Sequence, residues 1–335
     1  ENQVVLNGLF TAFNWVLRRH GGYLNKIEGD SLMFQFGGLT DSTSRRLDPE
    51  KAKRSIARRL FETCVKMQRV CWLFNEANDR FLDEQAEPEM RQDLQQAFDI
   101  VRALRTSSDL GASLNALFQI RIRVGANIGE VNTGNLGPRG RKHWDVIGVP
   151  VIEAKRMEAT APIGGLRITD QLYKVLEESG VVDSYFEEFR REARVLFGAF
   201  KDIKREELFK ASSVLLKDKR NAAFNTYSVQ VNPRLPEWLA EQTGLLLEQG
   251  EAGADRIIQF LQYYRGNRFA VRAMEQMLEQ KGVRIRRHDI LKIIYPRTFE
   301  AIRKASGDLR RTAQTVNQRY RLYDLFETLG DLQDK

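Results

Sequence analysis

Apolar residues recur at intervals of three and four from the start of the chain. Val5, Leu6, Leu9, Phe10, Phe13, Val16 and Leu17 fall on one stripe of a 3.6-residue repeat, which predicts an amphipathic helix from Gln3 to His20. Gly21-Gly22 ends it in the usual C-terminal way. The pattern then shortens. Tyr23 to Ile27 and Leu32 to Phe36 read as short strands around Glu28-Gly29-Asp30, a β-hairpin. Asp48 is placed to cap a second long helix, with Pro49 and Glu50 in its first turn, running to about Ala77. A highly charged stretch from about Arg80 to Gly111 predicts more helix. Phe118, Ile120, Ile122 and Val124 alternate with Gln119, Arg121 and Arg123, so a half-buried strand is expected there, continuing to Val131.

Gly134 to Gly140 is a loop and His143 to Ile147 a strand. Pro150 suits the first turn of a helix ending near Thr160. Leu166-Arg167-Ile168 is a further strand, Asp170 caps a helix through Glu178, and Ala193 to about Leu216 reads as strand and turn. After about Asn225 the strands stop, Pro233 and Pro236 mark a linker, and the remainder reads as helix. Strands and helices mixed in this order predict an α+β domain with helices on one face of its sheet, followed by an all-helical region.

Composition adds two constraints. At 335 residues and 42% hydrophobic, the chain is long enough for one large domain or two of ordinary size. No stretch approaches the roughly 20 apolar residues of a membrane span and no signal peptide is visible at the start, so an aqueous, cytoplasmic location is expected. The net charge of +8 is unevenly spread: Arg256 to Arg321 holds 16 Lys and Arg against five Asp and Glu. This split first suggests two domains. Cys64 and Cys71 lie seven apart in a helical pattern and read as two buried thiols, because that spacing spans about 10 Å, too far for a disulfide. His20, His143 and His288 show no metal-ligand spacing.

The chemistry gathers in the first two thirds of the chain. Lys26 and Asp30 sit four apart around Gly29, and Asp145 ends Trp144-Asp145 ahead of a helix that carries Arg156. Alone, a Gly-Asp turn is an ordinary hairpin tip, Lys26 and Asp30 could form a surface ion pair, and Arg156 could be a solvated helix residue. The whole set changes the reading. Gly21-Gly22-Tyr23, Lys26, Gly29-Asp30, Val124-Gly125, Gly129-Glu130-Val131, Gly134 to Gly137, Asp145, Gly148 and Arg156 arrive in the order and near the spacing of the nucleotidyl cyclase homology domain. Over residues 3 to 212 the chain resembles the class III adenylate/guanylate cyclases.

That resemblance implies a ferredoxin-like α+β domain paired head to tail in a homodimer or cyclase-domain heterodimer, with active sites in the clefts between the two. The ribose 3′-hydroxyl of ATP would attack the α-phosphate, releasing pyrophosphate and leaving 3′,5′-cyclic AMP. Two Mg2+ or Mn2+ ions would supply most of the electrostatic work. Asp30 matches a metal aspartate. Lys26 and Asp145 match the pair that recognises adenine, an ammonium donating to a ring nitrogen and a carboxylate accepting from the 6-amino group. Arg156 matches the arginine that stabilises charge on the reacting phosphate. Lys201 is aligned more loosely with a triphosphate-binding lysine, because Asp202 stands where the family has glycine.

The sequence departs from the family pattern at three places. The chain begins at the helix that follows the strand bearing the other metal aspartate, so that strand and that ligand are expected upstream, and the second metal site is incomplete in this chain. Ile152 replaces an asparagine expected four residues before Arg156, within a run Val149-Pro150-Val151-Ile152-Glu153 that differs from the family almost throughout. Residues from about 80 to 112 read as a helical insertion whose charge suggests a surface helix. The expected organisation is a cyclase-like domain over residues 1–215, a linker over 216–236 and a basic helical domain over 237–335. Two functions follow: an adenylate cyclase in signal transduction, or a pseudo-cyclase that dimerises as a regulatory partner. A third, nucleic-acid or acidic-membrane binding, would belong to the basic tail, where Arg310, Arg311, Arg319 and Arg321 cluster away from an apolar stripe.

Overall fold

A computed structural model of the chain describes residues 2–38, 41–77, 88–106, 120–196, 203–215, 223–231, 234–264 and 268–283. These divide into two compact units, one of residues 1–210 with 226–232, the other of 211–225 with 233–335. The first unit mixes strands and helices as an α+β fold, and the second holds three described α-helices together with strand residues 211–215 and 223–225.

In the first unit, α1 (Asn2–Arg19) leads into the hairpin of β1 (Tyr23–Glu28) and β2 (Ser31–Gln35). The hairpin turns tightly on Gly29, whose φ of 63° is left-handed backbone that glycine adopts without strain. The Asp48 carboxylate caps α2 (Pro49–Glu76) by accepting from the Lys51 amide, as the sequence predicts. Next comes α3 (Pro88–Thr106), within the expected insertion. It is not merely a surface helix. Leu94, Ala97, Phe98 and Val101 are buried on one side of it and join Leu9, Phe13, Val16 and Leu17 of α1 and Val70, Cys71 and Phe74 of α2 in one core. Charge dominates its composition because its other faces meet water, while a stripe at helical spacing supplies the packing.

The expected strand over 118–124 is corrected in part. Residue 118 lies outside the described residues, and β3 covers only Val124–Ala126. Upstream of it, helix side chains supply part of the backbone hydrogen bonding, while the Gly164 amide donates to the Ile122 carbonyl at 3.0 Å. Asn75 donates from Nδ2 to the Ile120 carbonyl at 2.9 Å and accepts from the Ile120 amide at 2.7 Å. Gln68 donates to the carbonyls of Ile122 and Gly165 at 3.1 and 2.8 Å.

The hairpin of β4 (Asn132–Leu136) and β5 (His143–Ile147) precedes α4 (Val149–Thr160), β6 (Leu166–Thr169), α5 (Asp170–Glu178) and α6 (Val181–Leu196). A short helical turn α7 (Arg205–Leu208) then feeds β7 (Phe209–Leu215) and β8 (Ala223–Val229). β8 corrects the linker expected over 216–236. It pairs antiparallel with β6, Leu166 opposite Val229, and Phe224, Tyr227 and Val229 give it the aromatic and β-branched character of a strand. The helix α6 likewise replaces strand and turn as far as Leu196.

Among the described residues the strands form three sheets, β1–β2, β4–β5 and β3–β6–β8–β7, rather than the single sheet expected. A second group of buried aromatics joins α2, α6 and β7. Phe61 meets Tyr185 edge-on at 5.1 Å and stacks near Phe209, while the Tyr185 hydroxyl donates to the Gln230 carbonyl at 2.8 Å. Cys64 and Cys71 are buried and unpaired, and burial pushes the Cys64 thiol up to about 12.

In the second unit, α8 (Arg234–Leu247), α9 (Glu251–Tyr263) and α10 (Arg268–Gln280) pack through Leu239, Leu246, Phe260, Leu261, Met274 and Leu278. Pro236, expected in a linker, lies in the first turn of α8, where its missing N–H costs no helical bond. Residues 284–335, with most of the basic cluster expected there, lie outside the described residues. No described helix is long and apolar enough to cross a membrane.

Candidate nucleotide site

Period-two strand geometry puts Lys26 and Glu28 on one face of β1, and His143 and Asp145 on one face of β5. The fold brings these faces together. Lys26 Nζ lies 3.6 Å from Asp145 Oδ2, across about 120 residues of sequence. It also lies 3.2 Å from Glu28 Oε1, and His143 Nε2 lies 3.5 Å from Asp145 Oδ2.

The amide of Val146 donates to Asp145 Oδ1 at 2.8 Å, which fixes the carboxylate. That bond does most to hold Asp145 below the ordinary carboxylate range. Desolvation opposes it, and Lys26 and His143 add to it. Lys26 is raised above the ordinary lysine range, first by its hydrogen bond to Glu28 and then, against desolvation, by Asp145. Both groups of the pair therefore stay charged at neutral pH. Asp145 is the sheltered member, its side chain 13% exposed against 38% for Lys26.

Asp30 stands exposed at the hairpin tip, two residues beyond Glu28. It is the only member of the expected metal set named in this chain. Among the described residues, no group of three or more His, Cys, Asp or Glu side chains could hold a metal ion. The residues described therefore do not make the expected two-ion site. Lys201 lies outside the described residues.

Arg156 sits on α4, four residues after Ile152 and on the same helical face. Two features seat this helix. Gly125 of β3 runs directly beneath it, and a side chain there would collide with the backbone of Ala154 and Glu158. Asn127 ties the helix start to its neighbours. Its Nδ2 donates to Glu153 Oε2 at 2.9 Å and to the Pro150 carbonyl at 3.3 Å, and its Oδ1 accepts from the Thr169 hydroxyl at 2.6 Å. Arg156 is half-buried, whereas Ile152 is 54% exposed and stands beside other exposed apolar residues at this corner, Ile147 and Val149.

The sequence reading assigned no role to Glu28, His143 or Asn127. Strand periodicity is a signal for the first two, since each lies two residues from a predicted site residue. Nothing local marks Asn127, whose role depends on three elements meeting.

The family model of the adenylate and guanylate cyclase catalytic domain matches residues 2–201. The chain belongs to this family. Class III cyclase membership accounts for the ordered set of glycines and charges that brackets the Lys26–Asp145 contact. Adenylyl cyclase X E of Drosophila melanogaster is 33% identical over 92 residues, a segment covering 27% of this chain and 8% of that relative, so the chain spans a small part of it. Solved cyclase structures are also similar. They include the guanylyl cyclase Cya2 (19% identity, TM-score 0.41, 68% of this chain and 81% of that one) and the adenylyl cyclase CyaB from P. aeruginosa (15%, 0.40, 68% and 81%). The guanylate cyclase domain of RhGC from Catenaria anguillulae, in complex with GTP, gives 18%, 0.38, 69% and 85%. The family assignment rests on the match over residues 2–201.

Proposed function

We propose that this class III cyclase domain recognises adenine through Lys26 and Asp145 and acts on ATP, forming 3′,5′-cyclic AMP and pyrophosphate. The observation that carries this reading is the 3.6 Å approach of the two side chains from separate hairpins. An ammonium beside a sheltered carboxylate matches the ring-nitrogen acceptor and 6-amino donor of adenine. A base entering between them replaces a partly solvated ion pair by two charge-assisted hydrogen bonds. Arg156, half-buried on α4, would hold negative charge on the phosphates.

Family members use divalent ions, and Asp30 is the carboxylate of this chain that would contribute to holding one. The described residues offer too few ligands for a pair. The exposed apolar corner of Val131, Ile147, Val149 and Ile152 suits burial against a second cyclase domain, which would complete the cleft.

A second reading, a pseudo-cyclase serving as a dimerising regulatory partner, is favoured by one observation. Ile152 projects into solvent where the family places a hydrogen-bonding asparagine, and isoleucine offers no such bond. The test is cyclic AMP formation from Mn-ATP together with ATP binding, both measured on full-length protein. Product formation that falls at least about tenfold in Lys26→Ala and Asp145→Ala supports the enzyme reading. Binding of ATP without product rejects it and leaves the regulatory one.

A further inference from the structure

The two oxygens of Asp145 are bound differently. Oδ1 accepts from the Val146 amide at 2.8 Å and is fixed by the backbone. Oδ2 is approached by two side chains at once, His143 Nε2 at 3.5 Å and Lys26 Nζ at 3.6 Å. A ligand group that donates to Asp145 therefore has Oδ2 left to meet, and one of the two side chains there must give way.

His143 is the one free to do so. Lys26 is itself a reading group under Proposed function, whereas the His143 side chain is 67% exposed and can swing into solvent. The charges around the ring are Asp145 on its own strand and, on β1, Lys26 with Glu28 behind it. Leu136, opposite it on β4, is apolar, and Arg141 and Lys142 precede it in the chain.

What it costs to move the ring depends on its proton. A neutral imidazole makes an ordinary hydrogen bond to a carboxylate, and an imidazolium makes a charge-assisted one about twice as strong. Histidine is the side chain that exchanges its proton between about pH 5 and 8. Asp145 is held below the ordinary carboxylate range and Lys26 above the ordinary lysine range, so both keep their charge across that window.

We propose that His143 is a positioning residue for Asp145, whose proton decides how readily that carboxylate yields its second oxygen to a base, so that the affinity for ATP falls as the medium acidifies. This rests on Lys26 and Asp145 being the base-reading pair, as proposed above.

The experiment is calorimetric titration of the protein with ATP and with inorganic tripolyphosphate, in Mg2+, from pH 5.5 to 8. Tripolyphosphate titrates much as the phosphates of ATP do and lacks the base, so the ratio of the two affinities isolates the base. In wild type this ratio is expected to fall about three- to fivefold from pH 8 to pH 5.5, the size of an exposed ion pair. His143→Gln can still hydrogen-bond but carries no such proton, and its ratio is expected to stay constant with pH. His143→Lys is charged throughout, and its ratio is expected to be constant and about three- to fivefold below that of His143→Gln. A merely structural role would shift the ratio equally at every pH. Tripolyphosphate affinity and circular dichroism check that the variants fold, and the wild-type profile stands as a test by itself.

A wild-type ratio that exceeds one but ignores pH, or rises on acidification, overturns the proposal while ATP recognition stands. So does a His143→Gln variant that keeps the wild-type slope. If ATP binds no more tightly than tripolyphosphate at any pH, the base reading under Proposed function falls, and this proposal with it.

Discussion

At the scale of single residues, polar side chains away from the candidate site do structural work that pH can expose. Asp41 is nearly fully buried. It accepts from the amides of Thr43 and Ser44, from the Ser44 hydroxyl, and from Arg59, whose other nitrogen donates to the His20 carbonyl. Burial alone would raise its pKa, but the hydrogen bonds from Arg59 and Ser44 outweigh burial and hold it below the ordinary range. A lowered folded pKa means that its stabilisation is complete above the unfolded carboxylate value of about 3.9 and is lost as pH falls through the folded value. Asp41→Asn is expected to cost about 1–3 kcal/mol at pH 7, a difference that closes as pH falls through the folded carboxylate value, as measured by urea unfolding across pH. Ile152 makes the opposite kind of case, an apolar residue where polarity is expected. If an asparagine there positions the ribose, Ile152→Asn raises the rate of cyclic AMP formation. The reaction rate under saturating Mn-ATP tests this, and an unchanged rate removes the role given to that position.

At the scale of elements, α3 is the instructive one. Its residues carry enough charge to read as a surface insertion, yet Phe98 meets Phe74 of α2 edge-on at 5.0 Å and is fully buried. Phe98→Ala is expected to destabilise the first unit by about 3–5 kcal/mol, whereas a substitution of exposed Gln95 leaves the melting temperature nearly unchanged. Calorimetry of the two variants makes the comparison. The helices α1 and α2, the β1–β2 hairpin and the β5–α4 turn were legible because each carries its own periodicity and caps: the stripe from Val5 to Leu17, Asp48 before Pro49, Gly29 at the hairpin tip. Lys26 and Asp145 were legible as a pair only through resemblance, since no local pattern joins residues so far apart. The rest was set by tertiary contacts. β8 could not be read because its seven residues carry little alternation, and β6 is what makes them a strand. Segment 120–123 has the alternation of a strand, but the Asn75 amide serves Ile120, and Ile122 is shared between Gln68 and the backbone amide of Gly164.

At the scale of the molecule, the apolar residues left in solvent are unevenly placed. Val131, Ile147, Val149 and Ile152, all exposed, lie on and beside the β4–β5 hairpin and the start of α4, near the candidate site. If a second cyclase domain covers this corner, sedimentation velocity should show a concentration-dependent dimer, and Ile147→Glu should weaken it by about tenfold or more without changing the monomer's circular dichroism. A monomer at all concentrations, with cyclic AMP still formed, would separate catalysis from pairing. The cradle that Asn75 makes for Ile120 carries a consequence of a different kind. An amide in a sheet is shielded for as long as its neighbouring strand stays in place, but the Ile120 amide is shielded by a side chain on a helix. Its exchange with deuterated solvent should follow the opening of α2 and not the fraying of any strand, so Asn75→Leu should make that one amide exchange freely while Val124, bonded to the Gly165 carbonyl, keeps its protection.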